Sequence, residues 1–120
     1  MYKKLSVLIP VYNERDTIKQ CIDAVLKADT RNLELEVIIS DNNSNDGTKE
    51  ILSKIQDKQI KILYRDSNNG KGANIKNALA NATGDLILFQ DGDLEYSPKD
   101  FPDLIEPFFL YRADVVYGSR

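Results

Sequence analysis

Apolar runs of strand length alternate with helical periodicities along the whole chain, and this alternation restricts the fold more than any single motif. Residues 5–11, 35–40, 60–64, 86–90 and 113–117 read as strands. Between them, apolar residues recur at helical spacing. Ile18, Cys21, Ile22, Val25 and Leu26 share one face, and Ile51, Leu52 and Ile55 a second. Ile75, Ala78, Leu79 and Ala82 form a third, and Phe101, Leu104, Ile105 and Phe108 a fourth. Asp46 is placed to cap the second helix, Gly84 to stop the third, and Ser97-Pro98-Lys99-Asp100 to open the fourth. Val37-Ile38-Ile39 is continuously apolar, as in a strand covered on both faces. Strict strand–helix alternation predicts an α/β, Rossmann-like, mostly parallel sheet with helices on both faces.

The 120 residues read as a single domain, 1–120. A net charge of −3 and the lack of a basic stripe argue against a nucleic-acid partner. Met1-Tyr2-Lys3-Lys4 leads straight into a strand and no apolar run approaches a membrane span. The expected location is cytoplasmic, or peripheral at the cytoplasmic membrane face. One cysteine excludes an internal disulfide, and Cys21 reads as a small core residue. There is no histidine, so imidazole bases, Ser-His or Cys-His catalysis and His-ligated metals are excluded. Acid–base work falls to carboxylates, Lys or Tyr.

In an open parallel sheet, ligands bind beyond the carboxyl ends of the strands. Each predicted strand here runs into polar residues at that end: Tyr12-Asn13-Glu14, Asp41-Asn42, Arg65, Asp91-Gly92-Asp93-Leu94-Glu95 and Arg120. The fourth cluster carries carboxylates at alternate positions around a glycine. Two carboxylates ~6 Å apart repel by about 3 kcal/mol at an effective dielectric of ~20. A divalent cation removes that repulsion, and all-oxygen ligands suit Mg²⁺ or Mn²⁺. Such a metal would leave positions open for phosphate oxygens. The competing reading of an isolated D-x-D is a solvated acidic turn.

The motifs together resemble the family-two glycosyltransferases with the GT-A fold. Residues 6–14 are similar to that family's opening strand and turn, and residues 41–48 to its nucleoside-binding loop. Residues 90–96 and 113–120 resemble the branch that uses polyprenyl phosphates, typified by the dolichol-phosphate mannosyltransferases. The resemblance implies roles position by position. Pro10, Tyr12 and Glu14 would line the nucleoside pocket, and Asp41 would accept a hydrogen bond from the base. Asp93 and Glu95 would hold the metal that bridges the donor diphosphate. Asp91 and Gly92 would lie beside the donor, with Asp91 and Asp93 as the catalytic carboxylates. Arg120 would contact phosphate. The implied donor is a nucleotide-diphospho-sugar, GDP-mannose or a UDP-hexose, and the implied acceptor a polyprenyl phosphate. Residues 1–120 would be the donor-binding half, inactive without the acceptor half.

Plainer readings remain beside these. Glu14 and Asp41 also suit caps of the following helices, and Asn69-Gly70-Lys71-Gly72 suits a turn, not a P-loop. A non-catalytic nucleotide-sugar-binding module fits the same motifs. An aspartyl phosphotransferase fits less well, because its D-x-D usually follows the first strand; a nucleotide-sugar pyrophosphorylase would open on a glycine-rich arginine loop. One expectation concerns assembly. In the resembled family a later strand lies beside the fourth. Residues 86–90 are therefore expected to present an open edge, filled either by residues 113–117 moving inward or by a second copy, the homodimer being preferred.

Overall fold

The computed structural model describes residues 3–65, 71–90 and 115–117. Five strands form one sheet: β1 (Lys4–Val11), β2 (Glu34–Asp41), β3 (Ile60–Tyr64), β4 (Leu86–Phe89) and β5 (Val115–Tyr117). Their order is β3-β2-β1-β4-β5, and every pairing is parallel. Helices α1 (Ile18–Lys27), α2 (Thr48–Ser53) and α3 (Lys71–Ala80) fill the connections between β1 and β4. The helix expected around residues 101–108 lies outside the described residues.

The strand pattern follows from burial on both faces. Leu5, Val7, Ile9 and Val11 of β1 pack with Val37 and Ile39 of β2 against Ile18, Cys21, Ile22 and Val25 of α1 and Leu52 of α2. On the opposite face Leu8 and Ile38 pack against Ala78 of α3. Pro10 sits inside a central strand at no cost to the ladder. The carbonyls of Lys4 and Leu8 accept from Asp85 N and Gln90 N, so Pro10, next in that alternation, faces β4 beyond the last bonded residue.

The two faces differ in chemistry. The α1–α2 face is apolar up to Asp41 at its carboxyl end, whereas Ser6, Glu36 and Ser40 are buried on the α3 face. Near the amino ends of the strands, Glu36 accepts from Ser6 Oγ (2.5 Å), Thr83 N (2.9 Å) and Thr83 Oγ1 (3.0 Å). Lys61 Nζ lies 3.2 Å from its carboxylate and Lys4 Nζ 3.8 Å. Burial alone would raise the pKa of Glu36. The hydrogen bonds from Ser6, Thr83 and Lys61 outweigh burial and hold it at about 2.

Several expectations need correction. The third helix does not present Ile75 and Leu79 to the sheet: Asn74 and Ala78 are buried and Leu79 is 44% exposed. The facing sheet carries Ser40, so a polar residue occupies the inner row. Lys71 and Gly72 belong to α3 and not to a turn. The helix ends at Ala80, so Gly84 is not its stop. Gly84 N instead donates to Ser6 Oγ (2.8 Å). Asp46 is displaced from the cap of α2 by Gly47, whose φ of 107° favours glycine. Asp46 still accepts from Thr48 N (3.0 Å) in the first turn. Lastly, the edge of β4 is not open. Ile87, Leu88 and Phe89 pair with Val115, Val116 and Tyr117. The inward strand satisfies the backbone groups that a second copy was expected to cover, so the edge argument for a homodimer loses its basis.

Gly84→Ala is expected to destabilise the fold by about 1–3 kcal/mol, the usual cost of overpacking. The added Cβ would lie 2.7 Å from the backbone N of Ser6 and 2.5 Å from its Oγ. Urea denaturation measures this; an unchanged midpoint would show that the contact relaxes freely.

Candidate functional site

Val11 and Asp41 are paired at the carboxyl ends of β1 and β2, and Asn42 N extends the ladder to Val11 O (2.8 Å). Beyond that pair, each chain turns through an asparagine in the left-handed region: Asn13 (φ 53°) and Asn43 (φ 62°). Asparagine tolerates that conformation better than other non-glycine residues. Both strands therefore end in sharp, polar turns side by side.

The turns are locked together. Asn13 N donates to Ser44 Oγ (2.9 Å), and Glu14 N to Thr48 Oγ1 (3.0 Å). Asn45 N donates to Asn13 Oδ1 (2.8 Å), and Asn13 Nδ2 to Asn45 Oδ1 (3.1 Å). Each hydroxyl passes its own proton to a carboxylate: Ser44 Oγ to Asp41, and Thr48 Oγ1 to Asp46. Asp46 also receives Arg15 N (3.3 Å). Its pKa would be raised by burial, but the bonds from the Thr48 hydroxyl, the Thr48 amide and the Arg15 amide lower it. Two aspartates thus fix, through one hydroxyl each, the backbone that leads from β1 into α1.

Of the residues named from sequence, Pro10, Tyr12, Glu14 and Asp41 fall among the described residues. Pro10 is half-buried in β1 and Tyr12 stands 43% exposed just beyond it. Glu14 is half-buried before α1; its carbonyl accepts from Ile18 N (2.8 Å) and its carboxylate from Thr17 Oγ1 (3.4 Å). Asp41 has no accessible surface and accepts from both Ser44 N (3.1 Å) and Ser44 Oγ. It organises its own loop and does not cap α2. Asp91, Gly92, Asp93, Glu95 and Arg120 lie outside the described residues. Gln90, immediately before them, is buried at the end of β4 with its N–H on Leu8 O (2.9 Å). Among the described residues no group of three His, Cys, Asp or Glu side chains is arranged to hold a metal ion.

Sequence reasoning missed Tyr64. It is the last residue of β3, in register with Asp41, and 47% exposed. Its phenol pKa is raised by burial first and then by the charge of Asp41. Tyr64 and Asp41 are therefore paired at the ends of β3 and β2, and Tyr12 follows Val11, the partner of Asp41 in β1: two exposed aromatics stand at the edge that buries the carboxylate. An aromatic closing a strand before Arg65 was the available signal. Arg65 is fixed to the same edge, its N–H donating to Asp41 O (2.9 Å) and its Nη1 to Ala73 O (2.7 Å). A groove of about 410 Å³ between α1 and α2 is lined by Ile22, Leu26, Ile51, Ile55 and Ile60. Lys19, Asp23, Lys54 and Asp57 also line it, but none of Tyr12, Asp41 or Tyr64 does, so it lies away from this edge.

A parallel sheet wound on both sides, with polar loops gathered at its carboxyl edge, is a doubly wound α/β fold, and its likeness to solved glycosyltransferases places it in the GT-A class. Residues 6–120 match the family described as Glycosyl transferase family 2, and the chain belongs to that family. It is 30% identical to the dolichol-phosphate mannosyltransferase of Pyrococcus furiosus over 118 residues, which is 98% of this chain and 33% of that protein. The chain thus spans about a third of the length of that relative. Among solved structures, S. aureus TarS 1–349 in complex with UDP-GlcNAc superposes with a TM-score of 0.76 at 28% identity, covering 92% of this chain and 32% of TarS. The mannosyltransferase PcManGT from Pyrobaculum calidifontis, in complex with GDP-Man and Mn²⁺, superposes with a TM-score of 0.70 at 25% identity, covering 83% and 30%. No helix among the described residues is long and apolar enough to cross a membrane.

Proposed function

We propose that residues 1–120 form the nucleotide-sugar-binding part of a metal-dependent glycosyltransferase that transfers a hexose, from a GDP-mannose or UDP-hexose donor, to a polyprenyl phosphate. The observation that carries this reading is the edge itself. Tyr64 pairs with Asp41, Tyr12 follows Val11, the other partner of Asp41, and two interlocked loops hold the backbone around them. An exposed ring offers a nucleobase a stacking surface. Asp41 keeps lone pairs beyond the two Ser44 bonds with which to accept an N–H of the base. Pro10 and Glu14 line the same pocket, and Asp91, Gly92 and Arg120 contact the donor's sugar and phosphates. The polyprenyl acceptor is supported by the likeness to a dolichol-phosphate mannosyltransferase over nearly the whole chain.

The acidic residues after β4 fit a divalent cation by chemistry: Asp93 and Glu95 supply only carboxylate oxygens. A bound Mg²⁺ or Mn²⁺ would supply charge neutralisation on the departing nucleoside diphosphate. The residues of the chain orient the donor: aromatic rings at the base, Asp91 beside the sugar, Arg120 at the phosphates.

Calorimetric titration with UDP and with GDP, in Mn²⁺ and in EDTA, tests this. Binding of one of them in Mn²⁺ is expected, about tenfold or more weaker in EDTA, as for loss of one charge-assisted contact. Equal affinity in both buffers would remove the metal from the reading, and no binding in either would remove the donor.

A further inference from the structure

α3 is held to the sheet in an unusual way. Its fully buried apolar contact is Ala78 against Leu8 and Ile38. Half-buried Leu63, Ile87 and Phe89 pack around that contact, and polar contacts hold the two ends. At the carboxyl edge, Ser40 Oγ donates to Asn74 Oδ1, Asn74 Nδ2 donates to Ser40 O (2.8 Å), and Asn77 Nδ2 donates to Ser40 Oγ (3.4 Å). Ser40 is fully buried and Asn74 is 2% exposed. One residue earlier, Ala73 O accepts from Arg65 Nη1. At the far end of the helix, Thr83 and Gly84 are bonded to Glu36 and Ser6.

Apolar burial is non-directional, so it tolerates sliding and rotation of a helix. Reciprocal hydrogen bonds between one amide and both polar groups of one serine do not. They fix the height and the rotation of α3 together. Ser40 is also the residue before Asp41, so the point of attachment is the end of β2 itself.

We infer that Asn74 is a positioning residue: with Ser40 it latches the first turn of α3 to the strand end that carries Asp41, so that the nucleotide-binding edge is formed before ligand arrives. This inference rests on the donor-binding reading above. It goes beyond that reading by assigning the preorganisation of the edge to a side chain that touches no ligand. A preformed site spares a ligand the ordering cost that a loose helix would impose.

The test compares Asn74→Ala, Ser40→Ala and Thr83→Ala. Thr83→Ala is the control, because it removes a hydroxyl bond to a buried partner at the other end of the same helix. Asn74→Ala is expected to weaken nucleoside diphosphate binding in Mn²⁺ about tenfold, an effect of lost preorganisation. Thr83→Ala is expected to stay within about twofold of the parent even where urea shows a comparable loss of stability, because sites without shared partners act independently. Alanine is the better helix former, so a loss in Asn74→Ala does not reflect a melted helix. Hydrogen exchange reads the latch without any nucleotide. Amides 75–77 bond to carbonyls of the first turn and are expected to exchange faster in Ser40→Ala but not in Thr83→Ala. Equal loss of affinity in Asn74→Ala and Thr83→Ala would reduce Asn74 to a general stabilising contact and overturn the inference. Parent-like exchange at 75–77 in Ser40→Ala would overturn the latch directly. A parent protein that binds neither UDP nor GDP would refute the donor reading, and the exchange result would then decide the latch alone.

Discussion

Asp93→Asn is expected to abolish the metal-dependent gain in nucleoside diphosphate affinity. The loss in Mn²⁺ equals that gain, about tenfold or more, as for loss of one charge-assisted contact. The argument begins with sign. The polar run after β4 places Asp91, Asp93 and Glu95 within five residues, and the donor's diphosphate is also an anion. Without a cation the two repel. Asparagine keeps the size and an oxygen but not the charge, so it separates coordination from shape. Asp57→Asn is the control: Asp57 lies in an exposed turn, where its Oδ1 accepts from Gln59 N (2.8 Å), a bond asparagine also makes. Calorimetry in Mn²⁺ and in EDTA should leave Asp57→Asn like the parent and make Asp93→Asn insensitive to EDTA. A full metal effect in Asp93→Asn would move the metal elsewhere.

The second large effect is on stability. Glu36→Gln is expected to cost about 3 kcal/mol at pH 7. A carboxylate held at about 2 in the fold against 4.5 when free contributes that much through linkage. The folded pKa is depressed, so the contribution is complete above about pH 4.5 and is lost as pH falls through about 2. Glutamine would also put an amide N–H₂ in place of one oxygen, facing either Ser6 Oγ and Thr83 N or Thr83 Oγ1 and Lys61 Nζ, all of them donors in this network. Urea denaturation across pH 2–7 should show the two proteins converging as pH falls from about 4.5 to about 2. A gap that stays constant across that window would mean the damage is steric and not electrostatic.

The strands and α1 were legible because they obey simple periodicities. A strand covered on both faces is apolar without interruption, as Val37-Ile38-Ile39 is, and α1 buries Ile18, Cys21, Ile22 and Val25 as its spacing requires. The face of α3 was not legible, because helical periodicity assumes an apolar partner. Ser6, Glu36 and Ser40 fall at alternate-face positions of otherwise apolar strands, and that was the available sign of a polar face above them. At the candidate site, the place of Tyr12 and Asp41 at the carboxyl ends of strands could be read from the sequence. The locking of the two loops could not: Ser44 and Thr48 meet the backbone of Asn13 and Glu14 across 31 and 34 positions of sequence. Spacing along the chain says nothing about such contacts. The pairing of β5 with β4 was one of two options the sequence left open, and the choice between them depends on which strand is free to fill the position.

The central place of β1 has a consequence for the order in which the chain is made. β1 leaves the ribosome before both of its neighbours, and these arrive at very different times. β2 follows closely and can pair as soon as α1 has folded back. The other side of β1 waits for β4: the amide of Lys4 bonds to Asp85, 81 positions later. During that interval a nascent sheet of β3, β2 and β1 exposes the backbone groups of its most apolar strand. Closing so long a loop is slow, and an unpaired edge in the meantime invites misassociation. Production of the folded protein should therefore be limited by completion of β4, and shortages of chaperone should be felt there first.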